Sequence, residues 1–258
     1  MKTGTIILTA GVVAAMAGTA HATATDVVSF QDAPRLFNDF GGSNLSYGSD
    51  FNAGTLSIVE NNYGSGNFAN RHVGWFADGG GNKVDFDYGD AFKISTTLTI
   101  NQADNVGNVE AGIQADLFGF GLFGVLTGNG EIAAFGSTNQ FFSFGTGLYN
   151  VGDAVMLEMT YAPGAGEFAT PVSQVQYRYN NMTQGSGWVS SGFLDITNSE
   201  GGIPSFFDQF YGLGAQINQP DSATGAVDIQ FTGTTVMVPA PATLALLGLA
   251  GVCARRRR

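Results

Sequence analysis

The densest group of carboxylates in the chain is Asp85, Asp87 and Asp90, within the segment Asp-Phe-Asp-Tyr-Gly-Asp. On a β-strand the first two would share one face, roughly 6.5–7 Å apart along the chain. Hard oxygen donors of this kind suit Ca²⁺, the only cofactor that the residues suggest. Retaining glycosidases need two carboxyl groups about 5–5.5 Å apart, and Gly89 breaks the alternation that would align Asp90. A solvated strand face is therefore the favoured interpretation, with calcium ligation and catalysis as alternatives.

Few other residues are candidates for catalysis, metal binding or ligand binding. His72 is the only histidine between residues 23 and 237, which excludes a zinc site built from three histidines. No Gly-x-Ser-x-Gly segment accompanies it, so we expect His72 to be an ordinary strand residue. Trp75 and Trp188 could stack on sugar rings if they were exposed, although buried tryptophan is the commoner state. The loop from Asp78 to Asn82 could add oxygen donors to a calcium site.

The segment Gly119–Gly124 matches the Gly-x-Gly-x-x-Gly pattern of dinucleotide-binding proteins. That fingerprint requires a helix to open on the glycines. The residues that follow, Val125 to Gly130, instead predict a strand and a turn. We therefore interpret the segment as a glycine-rich hairpin whose phenylalanines pack in the core.

Both ends of the chain carry export signals. Met1-Lys2, the apolar run Ile6–Ala17 and the small residues around Ala22 predict a signal peptide over residues 1–22. At the other end, Leu244–Ala254 is an apolar run of eleven residues. If helical it would reach only roughly 16 Å, whereas crossing a bilayer takes about 20 residues. We therefore expect this segment to anchor the exported chain in the membrane only transiently.

The residues around this run resemble a known sorting signal. Val238, Pro239, Ala240 and Pro241 precede it, and Arg255, Arg256, Arg257 and Arg258 follow it. Arginines at this end predict that it stays cytoplasmic. Residues 238–258 resemble the PEP-CTERM tails of bacteria with an outer membrane, in which Val-Pro-Glu-Pro is usual, so Ala240 departs from the pattern. The resemblance implies processing by an exosortase-type enzyme and delivery to the cell surface or extracellular matrix.

Between these signals, composition excludes several functions. Residues 23–237 hold five basic residues against all 21 acidic ones, a formal charge of −16. Such a chain cannot neutralise nucleic-acid phosphates and has no basic patch for anionic lipid. The single cysteine, Cys253, lies in the tail, so residues 23–237 form no disulfide.

The pattern of residues 23–237 is period two, broken by Gly, Asn and Asp, which predicts strands and almost no helix. Clear segments include Thr55–Glu60, Lys83–Tyr88, Phe92–Ile100, Ser173–Tyr179 and Gly225–Val236. Predicted strands also cover Val109–Phe118, Leu122–Thr127, Glu131–Phe135, Gln140–Phe144, Ala154–Tyr161, Gly187–Leu194 and Tyr211–Ile217, and a helical turn covers Pro204–Phe210. Many strands at short spacing predict one all-β domain, a two-sheet antiparallel β-sandwich.

The order of these strands resembles the concanavalin-A-like, laminin-G-like jelly roll, although a different two-sheet jelly roll stays open. Laminarinase-like members of that class carry a Glu-x-Asp-x-Glu type motif, which is absent here. We therefore expect an exported, non-catalytic surface or matrix protein that contacts polysaccharide and meets the membrane only transiently. The alternatives are a calcium-dependent glycan-binding module and a laminarinase-like glycoside hydrolase.

Overall fold

The computed structural model describes residues 26–64, 67–86, 89–116, 120–136, 139–164, 172–196, 209–220 and 224–238. The predicted signal peptide, Asp87, most of the predicted helical turn and all of the tail except Val238 lie outside these ranges. No helix among the described residues has the length and apolar character needed to cross a membrane.

Fifteen strands make up the described part of the chain, numbered in chain order. They are β1 (Ser29–Asn38), β2 (Asn44–Asp50), β3 (Thr55–Tyr63), β4 (Ala69–Ala77), β5 (Asp85–Phe86), β6 (Phe92–Asp104), β7 (Val106–Asp116), β8 (Phe120–Leu126), β9 (Glu131–Gly136), β10 (Phe142–Gly145), β11 (Ala154–Ala162), β12 (Gln174–Asn181), β13 (Val189–Asp195), β14 (Gln209–Pro220) and β15 (Gly225–Met237).

The strands form two antiparallel sheets. The first sheet has the order β1-β4-β14-β7-β8-β9-β10, with β5 added to β14, and the second has the order β13-β12-β11-β6-β15-β3-β2. About half of the neighbouring strands in each sheet come from distant parts of the chain, as in β14 between β4 and β7. The prediction of a two-sheet antiparallel jelly-roll sandwich is confirmed.

The core lies between the sheets because alternate side chains of each strand point inward. Aromatic rings span the gap: Phe92 of the second sheet lies 4.9 Å from Phe86 and 5.1 Å from Tyr211 of the first sheet, centroid to centroid. Phe123 of the first sheet meets Tyr177 of the second at 4.9 Å. Phe123 comes from the glycine-rich segment, and its place in β8 confirms the strand interpretation.

Two strands, β1 and β2, were not predicted, β4 was predicted only at His72, and one strand was predicted too long. β1 contains Pro34 and a register shift between Ala33 and Phe37, so its alternation is interrupted. β2 is a polar edge strand, and β4 is buried at every position, so neither shows the pattern of a half-buried strand. In the predicted strand from Lys83 to Tyr88, only Asp85–Phe86 is a described strand, and Lys83 forms an isolated bridge with Ala77.

Candidate functional site

The most exposed tryptophan of the described residues stands at the edge of the second sheet. Trp188 directly precedes β13, and its side chain is 42% exposed. The guanidinium carbon of Arg178 lies 4.5 Å from the centroid of the indole ring. A cation held over an aromatic face in this way is attracted by the quadrupole of the ring. Arg178 therefore steadies the indole while much of the ring stays open to solvent.

Arg178 is itself held in place by neighbouring strands. Its Nη1 lies 2.8 Å from Oε1 of Glu158, and Nζ of Lys93 lies 2.5 Å from Oε2 of the same carboxylate. The register places Glu158 opposite Arg178, and Lys93 opposite Thr160, two residues further along β11 on the same face. All three residues alternate with core positions, so they lie on the outer face of the second sheet. We call the set Lys93, Glu158, Arg178 and Trp188 the platform.

The turn before Trp188 is fixed by a network around Asp153. Oδ2 of Asp153 accepts hydrogen bonds from Nδ2 of Asn181 at 2.9 Å and from Nε2 of Gln184 at 2.6 Å. The backbone N–H of Ser186 donates to the carbonyl of Asn181 at 3.1 Å. Gly187 has a φ of 67°, a backbone conformation that is strained for a residue with a side chain. The backbone that leads into Trp188 is therefore fixed before any ligand arrives, and Arg178 packs against the indole.

Trp75 has the opposite environment. It lies on the outer face of the first sheet, yet it is only 1% exposed. Nζ of Lys83 and Cζ of Arg71 lie 5.1 and 5.8 Å from the centroid of its ring. Nε of Arg71 donates to Oε1 of Gln114 at 3.0 Å. Of the two tryptophans predicted as ligand-binding candidates, only Trp188 offers its ring to solvent in this structure.

The outer face of the first sheet carries no side chains at three paired glycines near Trp75. Gly214, Gly112 and Gly124 are paired in one row across β14, β7 and β8. A Cβ atom added to any of them would come within 2.0–2.3 Å of a backbone oxygen on the neighbouring strand. Only glycine fits such close approaches, and this part of the first sheet is closely packed.

A buried ionic cluster joins the two sheets. Glu60 follows Leu56 and Ile58 at inward positions of β3, and His72 lies at an inward position of β4. Both side chains are fully buried. Nε2 of His72 lies 2.6 Å from Oε2 of Glu60, and Nδ1 contacts the carbonyl oxygen of Pro34. Because both ring nitrogens face acceptors, the ring that satisfies both is the doubly protonated imidazolium.

The carboxylate of Glu60 has further donors. Nη1 of Arg35 lies 2.5 Å from Oε1, the hydroxyl of Tyr63 donates to Oε2 at 2.7 Å, and Nδ2 of Asn70 donates to Oε1 at 2.8 Å. The hydroxyl of Ser43 also donates to Oε1. Burial by itself would raise the pKa of Glu60. The hydrogen bond and charge of His72, with the hydroxyls of Ser43 and Tyr63, outweigh it and lower the pKa from 4.5 to about 2.

This cluster shows what His72 does. The prediction that it is a strand residue is confirmed, and both of its ring nitrogens are occupied by partners inside the protein. Glu60, Arg35 and Ser43 were not singled out from the sequence. The available signal was an acidic residue at the third inward position of Leu56-x-Ile58-x-Glu60, since a carboxylate in a core position needs a cationic partner.

The predicted calcium ligands are only partly described. Asp85 lies on β5, opposite Phe210, Asp90 lies in the segment before β6, and Asp87 is outside the described residues. Among the described residues, no group of three His, Cys, Asp or Glu side chains is placed to hold a metal ion. The nearby loop satisfies its own carboxylate, because Oδ1 of Asp78 accepts from the N–H groups of Gly80 and Asn82 at 2.8 Å. The calcium site therefore stays a prediction.

Solved structures that are similar to this chain share little of its sequence. No protein-family model and no curated protein matches the chain. Similar solved structures include a variant of alginate lyase A1-II′, with 14% identity, 75% of this chain and 83% of that chain covered, and a TM-score of 0.46. A protein of unknown function from Saccharomyces cerevisiae has 12% identity, 79% and 100% coverage, and a TM-score of 0.44. Lectin UEA-II, solved with galactose, has 13% identity, 80% and 97% coverage, and a TM-score of 0.35. These likenesses concern the fold alone.

Proposed function

We propose that this chain is an exported, non-catalytic surface or matrix protein whose sandwich contacts polysaccharide through the platform. The exposed ring of Trp188 carries the proposal. Aromatic faces bind the apolar faces of sugar rings, and a pre-organised aromatic residue loses little side-chain entropy on binding. The charged groups of Glu158, Arg178 and Lys93 lie beside it and can donate to, or accept from, sugar hydroxyl groups.

A non-catalytic role fits the position of the titratable groups. His72 is enclosed between Glu60 and Pro34, and no ligand can reach it without opening the core. Glu158 is the carboxylate of the platform, and both of its oxygens are engaged in ion pairs, one with Arg178 and one with Lys93. If the purified domain released reducing ends or unsaturated sugars from polysaccharides, this part of the proposal would be wrong.

The sorting of the protein is proposed from its ends. The signal peptide over residues 1–22 and the tail over residues 238–258 support export and delivery to the surface or extracellular matrix of a bacterium with an outer membrane. An exosortase-type enzyme would process the tail near Pro239 and Pro241. Mass spectrometry of surface-released protein tests this, because an intact C-terminal tail would contradict processing.

A glycan array tests the binding role. Residues 23–237 are applied with Ca²⁺ and with a chelator, as wild type, as Trp188→Ala and as Phe68→Ala. Phe68 is the matched control because its side chain is also exposed and it directly precedes β4 of the first sheet, whereas Trp188 precedes β13 of the second. We expect polysaccharide signals that Trp188→Ala loses and Phe68→Ala keeps. Signals that vanish with the chelator would instead favour the calcium-dependent module, which also predicts a melting temperature that rises with Ca²⁺.

A further inference from the structure

A cavity of about 360 Å³ lies at one end of the second sheet, where β6 begins and β11 and β15 end. Its walls include Phe92, Lys93, Thr160, Tyr161 and Met237. The rings of Phe92 and Tyr161 are buried on the inner face of the sheet, where they stack with centroids 5.2 Å apart, so the strands that form the cavity are firmly packed. A volume of this size is at the lower end of the range for small-ligand sites, roughly 300–1,000 Å³.

The lining of the cavity selects one kind of chemical group. The walls are formed by methyl, methylene and ring carbons, together with Pro163 and two alanines. A free sugar ring would bury hydroxyl groups there without partners, which costs free energy. Lys93 belongs to the lining, and its ammonium group, which is paired with Glu158, has two more protons than that ion pair uses. A group with an apolar end and one carbonyl acceptor, such as an acyl ester, meets both conditions.

The cavity is continuous with the platform. Lys93, Thr160 and Gln176 occupy one row across β6, β11 and β12, and Glu158 and Arg178 are paired in the neighbouring row. Adjacent strands are about 4.8 Å apart, so Lys93 and Gln176 are separated by roughly 10 Å. One polysaccharide chain can therefore reach from the cavity, along the ion pairs, to Trp188.

We propose that the cavity binds an acyl substituent of the polysaccharide whose ring stacks on Trp188. This inference rests on the proposed function and names its ligand class: an O-acylated polysaccharide. The ester carbonyl accepts a hydrogen bond from Nζ of Lys93, and the acyl methyl group lies against Thr160 and Met237, which share the outer face of the sheet with Lys93. Binding is non-covalent, and the ester is left intact.

The test compares an O-acetylated mannan oligosaccharide with the same oligosaccharide after mild alkaline deacetylation, by titration calorimetry. The wild-type domain is expected to bind the acetylated form about tenfold more tightly. Thr160→Phe fills the cavity without touching Trp188, and it should reduce this preference to about twofold or less. Trp188→Ala should weaken the binding of both forms.

A second measurement follows the cavity directly. With ¹³C-methyl-labelled methionine, the signal of Met237 in β15 should shift on titration with the acetylated oligosaccharide and should not shift with the deacetylated form. Equal affinity for the two forms with an unshifted Met237 signal overturns the acyl-binding inference and leaves the platform proposal standing. If neither form binds and the Met237 signal does not shift, both the platform proposal and the acyl-binding inference are overturned. If the Met237 signal shifts equally in the wild type and in Trp188→Ala, only the role of Trp188 is overturned.

Discussion

Replacing Glu60 by Gln tests whether the buried cluster holds the two sheets together. The change keeps the shape of the side chain but puts an amide N–H₂ where one oxygen accepted hydrogen bonds from His72 and Tyr63, or from Arg35, Ser43 and Asn70. It also removes the charge that compensates two cationic partners. Breaking one side of a buried ion pair typically costs about 3–5 kcal/mol, a large share of the stability of an ordinary domain.

The assay is thermal and urea unfolding of residues 23–237. For a domain of this size, each kcal/mol lowers the melting temperature by about 2–4 °C, so we expect a decrease of roughly 6–20 °C. Glu158→Gln is the matched control. Glu158 also has two cationic partners, but Lys93 and Arg178 are about one-third exposed, and pairs with such partners contribute about 1 kcal/mol or less. If Glu60→Gln costs no more than Glu158→Gln, the cluster does not hold the two sheets together.

The remaining predictions concern pH, backbone packing and oxidation of the surface. Folding lowers the pKa of Glu60 from 4.5 to about 2. The contribution of its ionised form to the free energy of unfolding is therefore fully present above pH 4.5 and is lost as the pH falls toward 2. Urea unfolding over this pH range should show a loss on the order of 3 kcal/mol that Glu60→Gln lacks. Gly214→Ala should destabilise the domain by about 1–3 kcal/mol, because its Cβ would lie 2.3 Å from the carbonyl oxygen of His72, whereas Gly48→Ala, with nothing within 4 Å of its Cβ, should change urea unfolding little. Mild oxidation should modify exposed Trp188 before buried Trp75, and peptide mass spectrometry that found the reverse order would contradict the assigned exposures.

The alternation of apolar residues was enough to predict most of the second sheet. Strands such as β3 and β12 have one face in the core and one in solvent, so their side chains alternate in the sequence. The first sheet was predicted less completely because β4 has both faces buried, and its segment Asn-Arg-His-Val-Gly-Trp mixes polar and apolar residues without a period. The polar side chains of β4 are paired with residues on other strands. These partners cannot be identified from the sequence alone.

The candidate site was predicted only in part, because its contacts also depend on which strands pair. Trp188 was a candidate by residue type, but its exposure and its contact with Arg178 depend on how β12 and β13 pair. The Glu60–His72 contact joins residues that are close in sequence but lie in different sheets. Only the fold shows that their inward positions meet.

The measurement that tests the central claim most directly is the affinity of residues 23–237 for a polysaccharide identified on the array, determined by titration calorimetry for the wild type and for Trp188→Ala. Loss of a stacked aromatic contact should weaken binding about tenfold or more, while Met182→Ala, on the turn before Trp188, leaves it unchanged. Wild-type affinity in Trp188→Ala would contradict the assignment of the platform as the binding surface.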